Sequence, residues 1–308
     1  MIAAGCGYIG APLPPLANIP QHATDLAVLQ QGSKLLVQLT VPEKTTEQMT
    51  IRGPLKVEVR IGPKDEWTTR GDSYESTAAK QGLTRTEIPT AKWTGQEVTV
   101  GARSVGPNGK ASAWSNLVNM QVVPTPAAPS GVEAEATAKG VRVRWTGPGG
   151  TFRVLRKAGE EKAFNVVTTV HETEWTDPDT EFGRPYSYRV QRAVEAGEHR
   201  EAFSEASAEV AITPVDTFPP APPAGVRALA SPSSIELVWD RDTEPDLAGY
   251  RIYRATGGGS FERIAEVSLV PAYSDGKVEH GKTYRYAVSA FDHAGNESGR
   301  SAVAEATP

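Results

Sequence analysis

The chain repeats itself at the scale of a whole domain, and no other feature restricts its fold as much. Within residues 131–214, "GVRVRWTGPGGTFRVLRK" and "GRPYSYRVQRAVEAG" are answered in 225–308 by "SIELVWDRDTEPDLAGYRIYRA" and "GKTYRYAVSAFDHAG". A more divergent copy fills 21–124, where "KLLVQLTVP" and "GQEVTVGARSVGPNGK" stand in the same places. "SAWSNLVNMQV", "EAFSEASAEVAI" and "SGRSAVAEAT" close the copies in turn. A period of about 90 residues is long enough for each copy to close a core of its own.

Inside each copy apolar residues alternate with polar ones, as in Val141, Val143 and Trp145, or Tyr284, Tyr286 and Val288. A period of two marks strands with one buried and one wet face. "GPGG", "TGGG", "GPNG" and "HAGN" supply turns between the runs, and no stretch has helical period. Some seven short strands per copy predict an antiparallel β-sandwich. The second and third copies resemble fibronectin type III domains: Trp145 and Trp239 fall on the second strand, and Tyr186 and Tyr284 match the tyrosine corner. In the first copy Leu39 stands for the tryptophan and Val98 for the corner tyrosine. The resemblance implies an all-β chain of three tandem antiparallel immunoglobulin-like (fibronectin type III) sandwiches over residues 21–124, 125–214 and 215–308.

Two proline-rich joints, "VPTPAAPSG" and "TPVDTFPPAPPAG", separate the copies. Such sequences favour extended polyproline II and act as semi-rigid spacers. Three sandwiches in line predict a rod on the order of 100 Å from strand rise.

Hydrophobic residues make up 39% of the 308 and charged ones 22%, a globular composition. Lys plus Arg number 32 against 37 Asp plus Glu, for a net charge of −5. With no block of like charge, the chain lacks the basic footprint of a nucleic-acid binder. No apolar run reaches the roughly 18 residues that crossing a bilayer takes. One cysteine cannot form an internal disulfide, so packing alone must hold each domain.

That cysteine, Cys6, follows "AAG" and precedes a glycine- and proline-rich stretch. The segment resembles the lipobox of bacterial lipoproteins, in which the thiol is acylated and the chain is cut before it. The resemblance implies a lipidation site at Cys6, with residues 1–20 as lipobox remnant and proline-rich tether. It also implies a membrane partner through the lipid and a lipid-anchored place at the outer membrane or cell surface. Buried acyl methylenes contribute roughly 0.8 kcal/mol each, so two or more chains hold stably. The five residues before Cys6 lack the basic and apolar regions of a secretion signal, and a truncated leader is the expectation.

Short motifs add little. "TTRGDSYES" contains the integrin tripeptide at Arg70–Asp72, but alignment of the copies places it beside an edge strand and not on a projecting loop, which argues against an integrin partner. Asp240, Asp242, Glu244 and Asp246 are spaced like the start of a calcium loop, yet Pro245 and Arg251 occupy its glycine and glutamate positions. His22, His171, His199, His280 and His293 show no metal-ligand spacing. No nucleophile, P-loop or paired-carboxylate motif stands out, so the expectation is no metal, no cofactor and no enzyme.

Of the six tryptophans, Trp145 and Trp239 are expected in cores. Trp114 and Trp175 align with Phe203 and Tyr273 and are expected to pack structurally. Trp67 and Trp93 are the candidate ligand-facing aromatics, provided they share an exposed face. The function expected is a non-enzymatic cell-surface lipoprotein, a spacer, adhesion or interaction module that meets a surface protein or a glycan. The alternatives are an accessory carbohydrate-binding protein of a polysaccharide-degrading system and a subunit of an extracellular assembly.

Overall fold

A computed structural model describes residues 18–78, 82–197 and 200–308, and among them there is no helix. No helix is therefore long and apolar enough to cross a membrane. The strands fall into three successive sets. The first comprises β1 (Ala27–Gln31), β2 (Lys34–Val41), β3 (Leu55–Pro63), β4 (Asp72–Ala78), β5 (Gly82–Pro89), β6 (Glu97–Val105) and β7 (Val118–Gln121). The second comprises β8 (Ser130–Thr137), β9 (Gly140–Thr146), β10 (Thr151–Ala158), β11 (Asn165–Val170), β12 (Glu174–Asp177), β13 (Tyr186–Glu195), β14 (Glu201–Phe203) and β15 (Val210–Ile212). The third comprises β16 (Arg227–Ala230), β17 (Ile235–Val238), β18 (Leu247–Thr256), β19 (Glu262–Val267), β20 (Ala272–Asp275), β21 (Tyr284–Asp292) and β22 (Ala304–Ala306).

The architecture is that of tandem immunoglobulin-like sandwiches of the fibronectin type III kind. In the third set a three-stranded sheet, β16-β17-β20, accompanies a four-stranded one, β19-β18-β21-β22. Ile235, Leu237, Trp239, Ile252, Tyr286 and Val288 share its core. In the first set β4-β3-β6-β7 is the four-stranded sheet, with β1, β2 and β5 opposite. Strand β2 shows why the chain folds this way: its burial alternates strictly, with Leu35, Val37, Leu39 and Val41 inside. A one-residue slip would turn that whole row to solvent, so the hydrophobic pattern fixes the register. The tyrosine corner also forms, since the Glu279 N–H donates to the Tyr284 hydroxyl at 3.0 Å.

The closing segments use a device repeated in every copy. Serines three apart, Ser112/Ser115, Ser204/Ser207 and Ser298/Ser301, lie alongside β6, β13 and β21. Each serine N–H donates to a carbonyl of the neighbouring strand (Ser104, Ala102, Arg192, Val190, Ala290 and Val288). Each hydroxyl oxygen accepts the N–H of that same residue at 2.9–3.1 Å. The side chain thus takes the place of a backbone carbonyl and satisfies buried amides where the chain is not a regular strand.

The described chain divides into two compact units. One gathers the residues up to Ala134 with Val143–Trp175 and Tyr186–Ile212, and the other Glu135–Arg142, Thr176–Pro185 and Thr213–Pro308. Within the first unit a single sheet runs from one strand set into the next, in the order β11-β10-β13-β14-β1-β2-β5, with β15 on β13. The link is parallel: Gln30 and Gln31 of β1 stand opposite Ala202 and Phe203 of β14. The Gly32 N–H donates to the Phe203 carbonyl at 2.8 Å. Gly32 has φ +55, a left-handed conformation that favours glycine at the crossing. The fully buried Gln30 side chain clamps the first joint: its Nε2 donates to the Val123 carbonyl at 2.8 Å and its Oε1 accepts the Val123 N–H at 3.0 Å. The first joint is therefore bridged by hydrogen bonds and is more than a spacer.

Candidate functional site

Cys6 lies outside the described residues. The two candidate tryptophans do not share a face. Trp93 is 2% exposed and sits in the first core, which corrects its reading as a ligand-facing aromatic. The reason is local: the Trp93 and Thr94 N–H groups both bond to the Thr90 carbonyl, and this turn tucks the indole inward. It supplies there the aromatic bulk that Trp145 and Trp239 bring from β9 and from just after β17, while Leu39 occupies β2.

Trp67 is half-buried, on the outer face of the β4-β3-β6-β7 sheet. The β3–β4 connection folds back because Arg60 Nε and Nη2 donate to the carbonyls of Trp67 and Thr68 at 2.9 and 2.6 Å. Its indole then lies against Gly101 of β6, where a Cβ would stand 3.1 Å from the ring. Trp114, which the sequence pattern treats as structural, meets Trp67 edge to face at 5.1 Å and 76°. The Arg103 guanidinium lies 4.6 Å from the Trp114 centroid and pairs with Glu58 at 2.7 Å. Leu117, 48% exposed, borders the same patch.

Comparable pairs recur on β10/β13 and β18/β21. Arg153 lies 4.3 Å from Phe203, Arg189 4.5 Å from Phe164, Arg300 4.2 Å from Tyr253 and Arg285 5.3 Å from Phe261. An aromatic capped by a guanidinium on the outer sheet face is thus a packing solution common to the copies. Trp114 belongs to it through Arg103, and Trp67 packs edge to face on that pair.

The other motifs resolve into structure. Arg70 pairs with Glu66 at 2.8 Å and Asp72 with Lys92 at 2.6 Å. A Cβ on Gly71 would stand 2.3 Å from the Trp67 carbonyl oxygen, so this glycine is required by close backbone approach. Of the acidic run, Asp242 Oδ1 accepts the Glu244 N–H at 3.0 Å, and Glu244 Oε1 accepts the Ala221 N–H at 2.8 Å. These carboxylates serve as turn acceptors. Only Asp246 of that run joins a converging group, with Asp216 and Asp292, whose oxygens lie within 4.8 Å of one another. Asn296 donates to Asp292 through its N–H and Nδ2, both at 2.8 Å, and reaches Asp216 at 3.3 Å. The joint before the third set is tied down by this network.

Buried titratable groups are likewise engaged in structure. Asp275, 2% exposed, accepts from the Tyr286 hydroxyl at 2.8 Å, from Arg254 at 2.9 Å and from the Lys277 N–H at 2.9 Å. Burial, then the Asp275 carboxylate, push the Tyr286 phenol far above its ordinary value. It stays a hydrogen-bond donor and does no acid–base work near neutrality. At Glu297 burial alone would raise the carboxyl, but hydrogen bonds from Ser289, Tyr253 and Arg251 outweigh it and hold the group below the usual carboxylate range.

No family model matches the chain. Among curated proteins it is 28% identical over 255 residues to Exoglucanase B of Cellulomonas fimi, covering 77% of this chain and 22% of that protein. It is 36% identical over 94 residues to an amylopullulanase of Thermoanaerobacterium thermosulfurigenes, covering 30% of this chain and 5% of that one. An amylopullulanase of Thermoanaerobacter thermohydrosulfuricus is 37% identical over 90 residues, with 29% and 6% covered. The chain thus spans about a fifth or less of these relatives' lengths. Among solved structures, the FN1–FN3 domains of chicken CNTN1 align over 94% of this chain and 98% of theirs at 17% identity and a TM-score of 0.29. A two-domain fibronectin type III segment of chicken tenascin aligns over 58% and 99% at 15% identity and 0.39. Scores this low carry no argument about function.

Proposed function

We propose that this chain is a non-catalytic accessory module of a polysaccharide-degrading system, held at the cell surface through an acylated Cys6 and bringing its sandwiches against glycan. The observation that carries the reading is the match to Exoglucanase B: 255 residues that make up 22% of that protein, aligned with a chain built of successive antiparallel sandwiches. The amylopullulanase matches, each about one copy long, point the same way. Function resides in sites carried by a fold and not in the fold itself, so the test must be one of binding. The full chain, incubated with washed insoluble cellulose and with granular starch, should sediment with one of them and not with an uncharged polymer bead. Recovery of all the protein in both supernatants would overturn the accessory reading.

The anchor has its own test. Expressed behind a lipoprotein signal peptide, the chain should carry acyl groups on the Cys6 peptide by mass spectrometry, and Cys6→Ala should leave the membrane fraction. A second reading, an adhesive spacer that meets a surface protein, is favoured by the sheet continuing through β14 and β1, because a bridged joint holds its binding faces at a fixed spacing.

A further inference from the structure

Within the first unit a groove of about 500 Å³ lies between β7 and the β13–β14 hairpin. One wall is Lys64, Glu97, Asn119 and Gln121, and the other is formed by Gly197 and Arg200. From this groove we infer that the first joint is an oligosaccharide subsite, which takes a short neutral glycan across β7. The inference rests on the accessory reading above and gives that reading a location.

Two observations converge on it. The first is that the groove is pre-formed. Its walls come from different strand sets, yet the β1–β14 link, the Gly32–Phe203 bond and the Gln30 clamp on Val123 already hold those sets together. At the groove's edge the position of a Cβ on Gly197 stands 3.5 Å from the Gln121 Cβ, so the hairpin rests directly on the strand. A site that needs no closing movement spends little of its binding energy on ordering. Ligand sites favour such junctions, and this volume falls within their usual range of about 300–1,000 Å³.

The second is the chemistry of the walls. Thr99 Oγ1 donates to Asn119 Oδ1 at 2.7 Å, which orients that amide and leaves its Nδ2 donors uncommitted. The Gln121 amide and the Arg200 guanidinium have no side-chain partner among the described residues. Lys64 and Glu97 neutralise each other at 2.7 Å while Glu97 Oε2 remains an acceptor. The groove thus offers donors at Asn119, Gln121 and Arg200 beside acceptors at Gln121 and Glu97, and its three charged side chains sum to +1. A sugar hydroxyl both donates and accepts and asks for such a lining, whereas a phosphate or carboxylate would ask for clustered donors alone.

The test is calorimetric titration of the full chain with cellotetraose and with maltotetraose, repeated on Gln121→Ala and Arg200→Ala. Both changes truncate side chains at the groove rim and should leave the circular dichroism melt unchanged. One of the two sugars should bind, and each variant should weaken it roughly tenfold, while Trp67→Ala leaves it unaltered. Sugar binding that survives both variants unchanged overturns this location and leaves the accessory reading intact. Absence of binding by either sugar overturns the inference as well, and sedimentation with polysaccharide then decides separately whether the accessory reading stands.

Discussion

A single hydroxyl in this chain does what a backbone carbonyl does elsewhere. Ser207 is 7% exposed and its Oγ accepts the Val190 N–H at 3.0 Å, so Ser207→Ala strands a buried donor and should cost about 1–3 kcal/mol. A lowered urea midpoint with an unchanged slope would show it. Glu297 sets a pH dependence. Its folded carboxyl is held below the unfolded glutamate value of about 4.3, chiefly because hydrogen bonds from Ser289, Tyr253 and Arg251 outweigh burial. A depressed carboxyl contributes stability above the unfolded value and loses it as pH falls through the folded one. Glu297→Gln should therefore flatten the acid side of a melting-temperature profile below about pH 4.3. Single residues were unevenly legible. Trp145 and Trp239 stood where an alternating strand puts core residues, but Trp93 follows a turn, where no periodicity tells inside from outside.

Among elements, the strands were legible because alternation leaves a trace at every second position, as in Leu35, Val37, Leu39 and Val41. The pairing of β1 with β14 was not, because the partners are some 170 residues apart and join through backbone atoms that every residue has. Gln30 is polar and yet fully buried, with both ends of its amide on Val123. Gln30→Ala removes the partners of both the N–H and the carbonyl of Val123. The expected result is faster amide hydrogen exchange at Val123 and Gly32 and a loss of about 1–3 kcal/mol. Unchanged protection at both amides would mean that the clamp does not hold the joint. The paired serines lay in plain view in "SAWS", "SEAS" and "SGRS", but only the three-dimensional ladder shows that their hydroxyls replace carbonyls. The groove at β7 was invisible for the same reason as the link, since its walls come from separate copies.

For the molecule as a whole, repetition announced an all-β chain of successive sandwiches, and that architecture is present. The two compact units are a different partition, with the second strand set contributing to both. They should unfold as two transitions in scanning calorimetry, and Gln30→Ala should lower the melting temperature of one and not the other. A single transition shifted as a whole would mean that the units share one cooperative core. The joint also has a mechanical consequence. Strands β1 and β14 run the same way, so a pull on the chain toward its N-terminus, against a load borne beyond Phe203, slides one strand along the other. Their hydrogen bonds are then strained together and not opened one after another, the arrangement in which a short seam resists force best.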